Sequence, residues 1–114
     1  MTVEEYFIAY LADVLGVPVY AERPETPPEL WVRVEKTGGG GDRYGISTPT
    51  LAVQSYGPTR YRAANLNEQV KAAMLASVAR PEVSHCDLNS DYPFDDTTRR
   101  EYRYQAVFDL VVFI

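Results

Sequence analysis

LWVRVEKT at Leu30–Thr37, GGGGDRYGIST at Gly38–Thr48 and PTLAVQSYG at Pro49–Gly57 together decide the fold. In the first run Leu30, Val32 and Val34 alternate with Trp31, Arg33 and Glu35. A period of two puts the aliphatic residues on one face and the mixed ones on the other. In the third run Leu51, Val53 and Ser55 alternate with Ala52, Gln54 and Tyr56. Two strand-like runs joined by a glycine-rich break predict an antiparallel hairpin. Taken as a loop, residues 37–48 far exceed the usual connection of roughly 2–5 residues. The spacing therefore predicts a flexible arm, and a compact domain has no packing reason to carry one. The arm is a candidate for contact with another surface. Arg43 and Tyr44 at its tip are the candidate anchors, because arginine and tyrosine dominate interface hot spots.

Outward from the hairpin, the N-terminal stretch predicts a helix. Thr2 and Glu5 have the spacing of a capping box, and Val3, Phe7, Tyr10, Leu11 and Val14 fall on one helical face. Gly16 and Pro18 end it. Val17–Ala21 is a short strand-like run, and Glu22–Glu29, with three prolines, is an extended surface loop. After the break at Gly57–Pro58, Thr59 caps a second helix running to about Ala79. Ala63, Leu66, Val70, Met74 and Val78 form its buried stripe. Leu75 lies across the helix from Leu66 and is a candidate for contact with a neighbouring subunit. Val83–Leu88 reads as a strand, Asn89–Thr98 as a polar loop, and Glu101–Ile114 as a long strand whose C-terminal end is apolar on both faces. The order α-β-β-β-α-β-β gives one α+β domain over residues 1–114. It is an antiparallel or mixed sheet of about five strands with two helices packed on it.

The chain is one domain in size, with 114 residues, and its hydrophobic content of 46% supplies one core. Its net charge of −5 argues against nucleic-acid backbone as the main partner, since that affinity comes from neutralising phosphates. A single cysteine, Cys86, allows no internal disulfide. Acidic residues interrupt Thr2–Leu15, so neither a leader nor a membrane span is expected there.

No stretch carries a complete catalytic or metal-binding motif. Gly40 and Gly45 have the glycine spacing of a phosphate loop, but Ile46 stands where its lysine belongs and Pro49 where a helix would begin. Asp87, Asn89 and Asp91 have the spacing of a calcium loop, and Asp95 and Asp96 add oxygens. Tyr92 stands at the glycine position and Thr98 at the glutamate position. On a strand, His85 and Cys86 point to opposite faces and cannot act as a nucleophile–base pair. Neither a cofactor, a metal nor a catalytic group is expected.

The second half carries a resemblance. LAVQSYG at Leu51–Gly57 precedes an alanine-rich helix, and SDYPFDD at Ser90–Asp96 leads into YRYQAVFDLVV at Tyr102–Val112. With VRVEKTGG before them, these resemble the small tail-completion proteins, or tail terminators, of long-tailed phages and prophages. The resemblance covers about Leu30–Val112, and the order of elements carries more of it than any single residue. It implies a structural protein of the virion, assembled in the host cytoplasm as a homohexameric ring. The ring would cap the tail tube protein and meet the head–tail connector protein, with DNA passing through its pore without specific binding. Head-closure and connector proteins of the same assembly look alike at this level. A ligand-binding regulatory α+β domain, with a pocket under the glycine-rich arm, is the rival reading.

Overall fold

The computed structural model describes residues 1–114, the side chain of Asp42 excepted. Helix α1 spans Val3–Leu15. Its capping box closes as the sequence requires, with the Glu5 N–H donating to Thr2 Oγ1 at 3.1 Å and the Thr2 N–H to Glu5 Oε1 at 3.4 Å. Gly16 ends it in the left-handed conformation, φ 68°. Strands β1 (Val19–Tyr20), β2 (Trp31–Arg43) and β3 (Ile46–Gly57) follow. Helix α2 spans Arg60–Ala76 and tightens into a 3₁₀ turn at Ser77–Ala79. Strands β4 (Val83–Pro93) and β5 (Tyr102–Val112) complete the chain.

The five strands form one mixed sheet in the order β1-β2-β3-β5-β4. Only the β1–β2 pair is parallel. The fold is therefore α+β, with the expected element order. Both helices cover one face. Phe7 and Leu11 of α1 and Leu66, Val70 and Met74 of α2 pack on Val34, Leu51, Val53, Phe108 and Leu110. Each fully buried side chain of this kind contributes about 1.5–3 kcal/mol. Two phenols tie the layers: the buried Tyr10 donates to the Ala73 carbonyl at 2.7 Å, and the half-buried Tyr6 to Glu82 Oε1 at 2.8 Å. Gly57 sets the seat of α2, because a Cβ there would stand 2.7 Å from the Ala63 nitrogen. Any larger residue would push the first turn of α2 off the sheet.

The structure corrects the sequence reading in four places. Residues 37–48 are no long loop. The β2–β3 ladder runs on through Gly38↔Thr50, Gly39↔Pro49, Gly40↔Thr48 and Arg43↔Ile46, with irregularities between Lys36 and Gly38 and between Gly40 and Arg43. Only Tyr44 and Gly45 connect the strands, both at positive φ (56° and 76°), as a primed hairpin turn requires. Glycine-rich composition reads as loop, but the neighbouring strand supplies hydrogen bonds that residues without side chains still accept. Of the four glycines only Gly39 is demanded by geometry: its φ is 131°, and a Cβ would lie 2.6 Å from Pro49 Cα. Second, β4 continues through Asn89–Pro93 because β5 pairs with it as far as Pro93↔Tyr104. Third, Val14 and Val78 lie at the ends of their stripes, beyond the sheet, and are exposed. Fourth, the C-terminal end of β5 is not covered on both sides, since Phe113 is exposed.

Candidate interface surfaces

The sheet face opposite the helices carries the polar side of the alternation. Ladder register aligns its residues in rows: Arg33, Gln54, Gln105 and Tyr92 in one, and Trp31, Tyr56 and Arg103 in the next. A continuous hydrogen-bond chain joins them. Arg103 donates to the Tyr56 hydroxyl at 3.1 Å, and Tyr56 donates to Gln54 Oε1 at 3.2 Å. Gln54 then donates to Gln105 Oε1 at 2.7 Å, and Gln105 to the Tyr92 hydroxyl at 2.6 Å. The chain crosses three strands, fixes the amide orientations, and leaves Gln54 only 4% exposed.

One end of this face is closed by aromatic stacking. Trp31 and Tyr56 lie parallel with ring centroids 3.9 Å apart. Arg23, from the proline-rich segment, sits over the indole and forms a bidentate pair with Glu101. Arg103 lies over both Phe94 and Tyr56. Trp31 is thus buried although no helix covers it. Around this end Arg60 pairs with Asp95 at 2.6 Å, and Arg60 holds the Asp95 carboxyl below the usual carboxylate range.

The other end is acidic. Asp87 and Asp109 stand directly opposite each other, an arrangement that destabilises a ladder unless the charge is shared. Thr50 and Asn89 donate to Asp109 at 3.0 and 2.9 Å, and the His85 imidazole lies 3.1 Å from Asp87. Asp91 turns to the helix side, where Asn67 donates to it at 2.6 Å and Lys71 at 2.5 Å. The calcium-like spacing is therefore drawn out along a strand, where alternate residues stand about 6–7 Å apart. A tight cage of six or more oxygens needs a turn instead. His85 is exposed, and Cys86 is buried on the helix side with its thiol pushed up to about 11 by burial.

No protein-family model matches this chain, and no curated protein matches it. The surfaces themselves carry the functional argument. Arg43 closes β2 and Tyr44 forms the turn, so the two stand together at the tip of the arm. Tyr44 is 92% exposed. Leu75 lies on a different element, exposed on the outer surface of α2. Near the same helix ends Val14, Leu15, Ala72 and Ala76 line a shallow groove. The structure thus does not gather Arg43, Tyr44 and Leu75 into one site. Sequence reasoning missed the Arg103–Tyr56–Gln54–Gln105–Tyr92 chain. Its only sequence signal is glutamine or tyrosine at the outward positions of β3, β4 and β5, and ladder register alone turns that into a connected path.

Proposed function

We propose that this chain is a structural protein of a long-tailed phage or prophage particle, the tail terminator that closes the tail tube at the head–tail joint as a ring. The family resemblance supplies the six-fold number and the partners, the tail tube protein and the head–tail connector protein. The observation that carries the reading is the asymmetry of the sheet. The side of the sheet bounded by the two-residue β1 bears the exposed arm of β2, whereas the other side is bounded by the eleven-residue β4 with Asp87 and Asp91. A contact between two different surfaces is head-to-tail, and such contacts close into rings when the rotation permits. The role needs no catalytic group and no cofactor. A net charge of −5 per subunit suits a pore that DNA slides through without binding.

Deletion of the gene in its phage or prophage, followed by imaging of particles, tests the proposal. The expected result is tail tubes of uncontrolled length with filled heads left unjoined. Tails of normal length beside leaking heads would move the protein to head closure. Fully infectious particles would overturn the structural role.

A further inference from the structure

Trp31 is the only tryptophan of the chain, and it is 1% exposed on the sheet face that no helix covers. Tyr56 stacks on it and Tyr20 meets it edge-on. The rest of its cover comes from residues 22–29, between β1 and β2, where the Arg23 guanidinium lies 5.9 Å from the indole centroid. Pro27, Pro28 and Glu29 of the same segment line a cavity of about 220 Å³ whose other walls include Trp31, Tyr56 and Tyr102. The segment thus spans this end of the sheet without filling the space beneath it. None of residues 22–29 is buried, and among the described residues no backbone–backbone hydrogen bond holds them.

Two side-chain ties fasten the segment. Arg23 forms the bidentate pair with Glu101, Nη2 donating to Oε2 at 2.7 Å, with the side chains 28% and 23% exposed. Glu101 is itself held, since it exchanges two backbone hydrogen bonds with Asp96, both 3.0 Å, in the turn between β4 and β5. The second tie, Arg62 to Glu29, stretches to 3.5 Å between exposed side chains, and pairs of that kind contribute little. One ion pair therefore carries most of the fastening. Pro24, Pro27 and Pro28 fix their own φ, so the segment is stiff between its ends.

We propose that residues 22–29 are a strap latched by the Arg23–Glu101 pair, and that release of this pair lifts the strap and uncovers Trp31 with the rest of the fold intact. Local opening costs least where buried contacts and backbone hydrogen bonds are few, and the strap has neither. Its ends stay fixed. The Ala21 carbonyl accepts from Arg33 Nε at 3.1 Å, and Leu30 packs against the core. Neither the β1–β2 nor the β2–β3 ladder includes a strap residue, so the sheet loses no hydrogen bond when the strap lifts. Lifting opens the cavity and presents the stacked Trp31 and Tyr56 rings, residue types that anchor interfaces. The inference stands apart from the ring reading, because the latch lies within one chain.

A single tryptophan makes the test direct, since all indole emission comes from Trp31. Glu101→Gln removes the latch charge and leaves Arg23 in place. With unchanged far-UV circular dichroism, it is expected to shift the emission to the red and raise acrylamide quenching several-fold. Reversing the pair, Arg23→Glu with Glu101→Arg, is expected to restore the wild-type emission and quenching. A folded Glu101→Gln chain that quenches like wild type would overturn the latch. A reversed pair as open as Glu101→Gln would also overturn it, by showing that the carboxylate and not the pair shields the indole. Should Glu101→Gln fail to fold, the wild-type chain decides. At about 1 M salt, where screening reaches down to ~3 Å, its quenching should rise without loss of secondary structure. Quenching independent of salt would then overturn the proposal.

Discussion

Ser55 faces the helices from β3 with its hydroxyl fully buried and without a hydrogen-bond partner among the described residues. A buried unmet hydroxyl costs about 1–3 kcal/mol. Ser55→Ala is therefore expected to leave stability unchanged or raise it by about 1 kcal/mol in urea unfolding. A clear loss would mean that the hydroxyl is satisfied in solution. Two further groups set the alkaline limit. Burial pushes the Cys86 thiol from 9.0 up to about 11. Burial, helped by the bond to Glu82, pushes the Tyr6 phenol from 10.0 up to about 12. Both hold their protons more tightly folded than unfolded, so the folded chain binds more protons between those values and stability falls as pH rises. The Cys86 contribution is complete below pH 9 and lost through 11, and that of Tyr6 is lost from 10 through 12. Thermal melts should move down through this window, and Cys86→Ala should flatten its lower half.

At the scale of elements, the sheet and α2 hold each other through a few fully packed side chains. Leu66 and Phe108 both belong to the core that joins them and are almost wholly buried. Leu66→Ala and Phe108→Ala should each cost about 2–5 kcal/mol, the span for cavities that collapse only in part. Chemical denaturation with an unchanged m-value would check this. The arm is held differently. Its outer strand is paired on one side only, and its glycines bring no cross-strand side-chain contacts. Fixing four consecutive glycines also costs more backbone entropy than fixing other residues. Amides of 37–48 should exchange faster than those of the β3–β5 ladder in the free chain, and slow on assembly. Strong, equal protection in both states would show that the arm needs no second copy to hold it.

On the scale of the whole molecule, the long axis of 43 Å is about the length of a 13-residue strand at ~3.4 Å per residue, so the β2–β3 ribbon sets the shape. Charge is distributed along that axis. Arg23, Arg60, Arg62 and Arg99 pair with Glu101, Asp95, Glu29 and Asp96 around the stacked Trp31 end. These partnered charges nearly cancel, which leaves the net acidity to the rest of the chain, including the Asp87–Asp109 end. A ring whose subunits stand with their strands along the axis would thus present two electrically different rims. Under the tail-terminator role proposed above, those rims would face the two unlike partners, tail tube and connector.

The sequence by itself determined the elements whose signals are local. The Thr2–Glu5 box and Gly16 bound α1, Thr59 caps α2, and alternation marks the paired runs on either side of the arm. From these the α+β class and element order follow, because each depends on neighbours within a few residues. What only the tertiary structure decided is whatever a partner strand supplies. Gly38–Gly41 and Asn89–Pro93 lack strand composition, yet β3 and β5 pair with them. The hydrogen-bond chain from Arg103 to Tyr92 joins residues on three strands that only register brings together. The two open edges are likewise invisible in sequence. An edge is defined by which strand has no neighbour, and that is a property of sheet order, not of the residues along the strand.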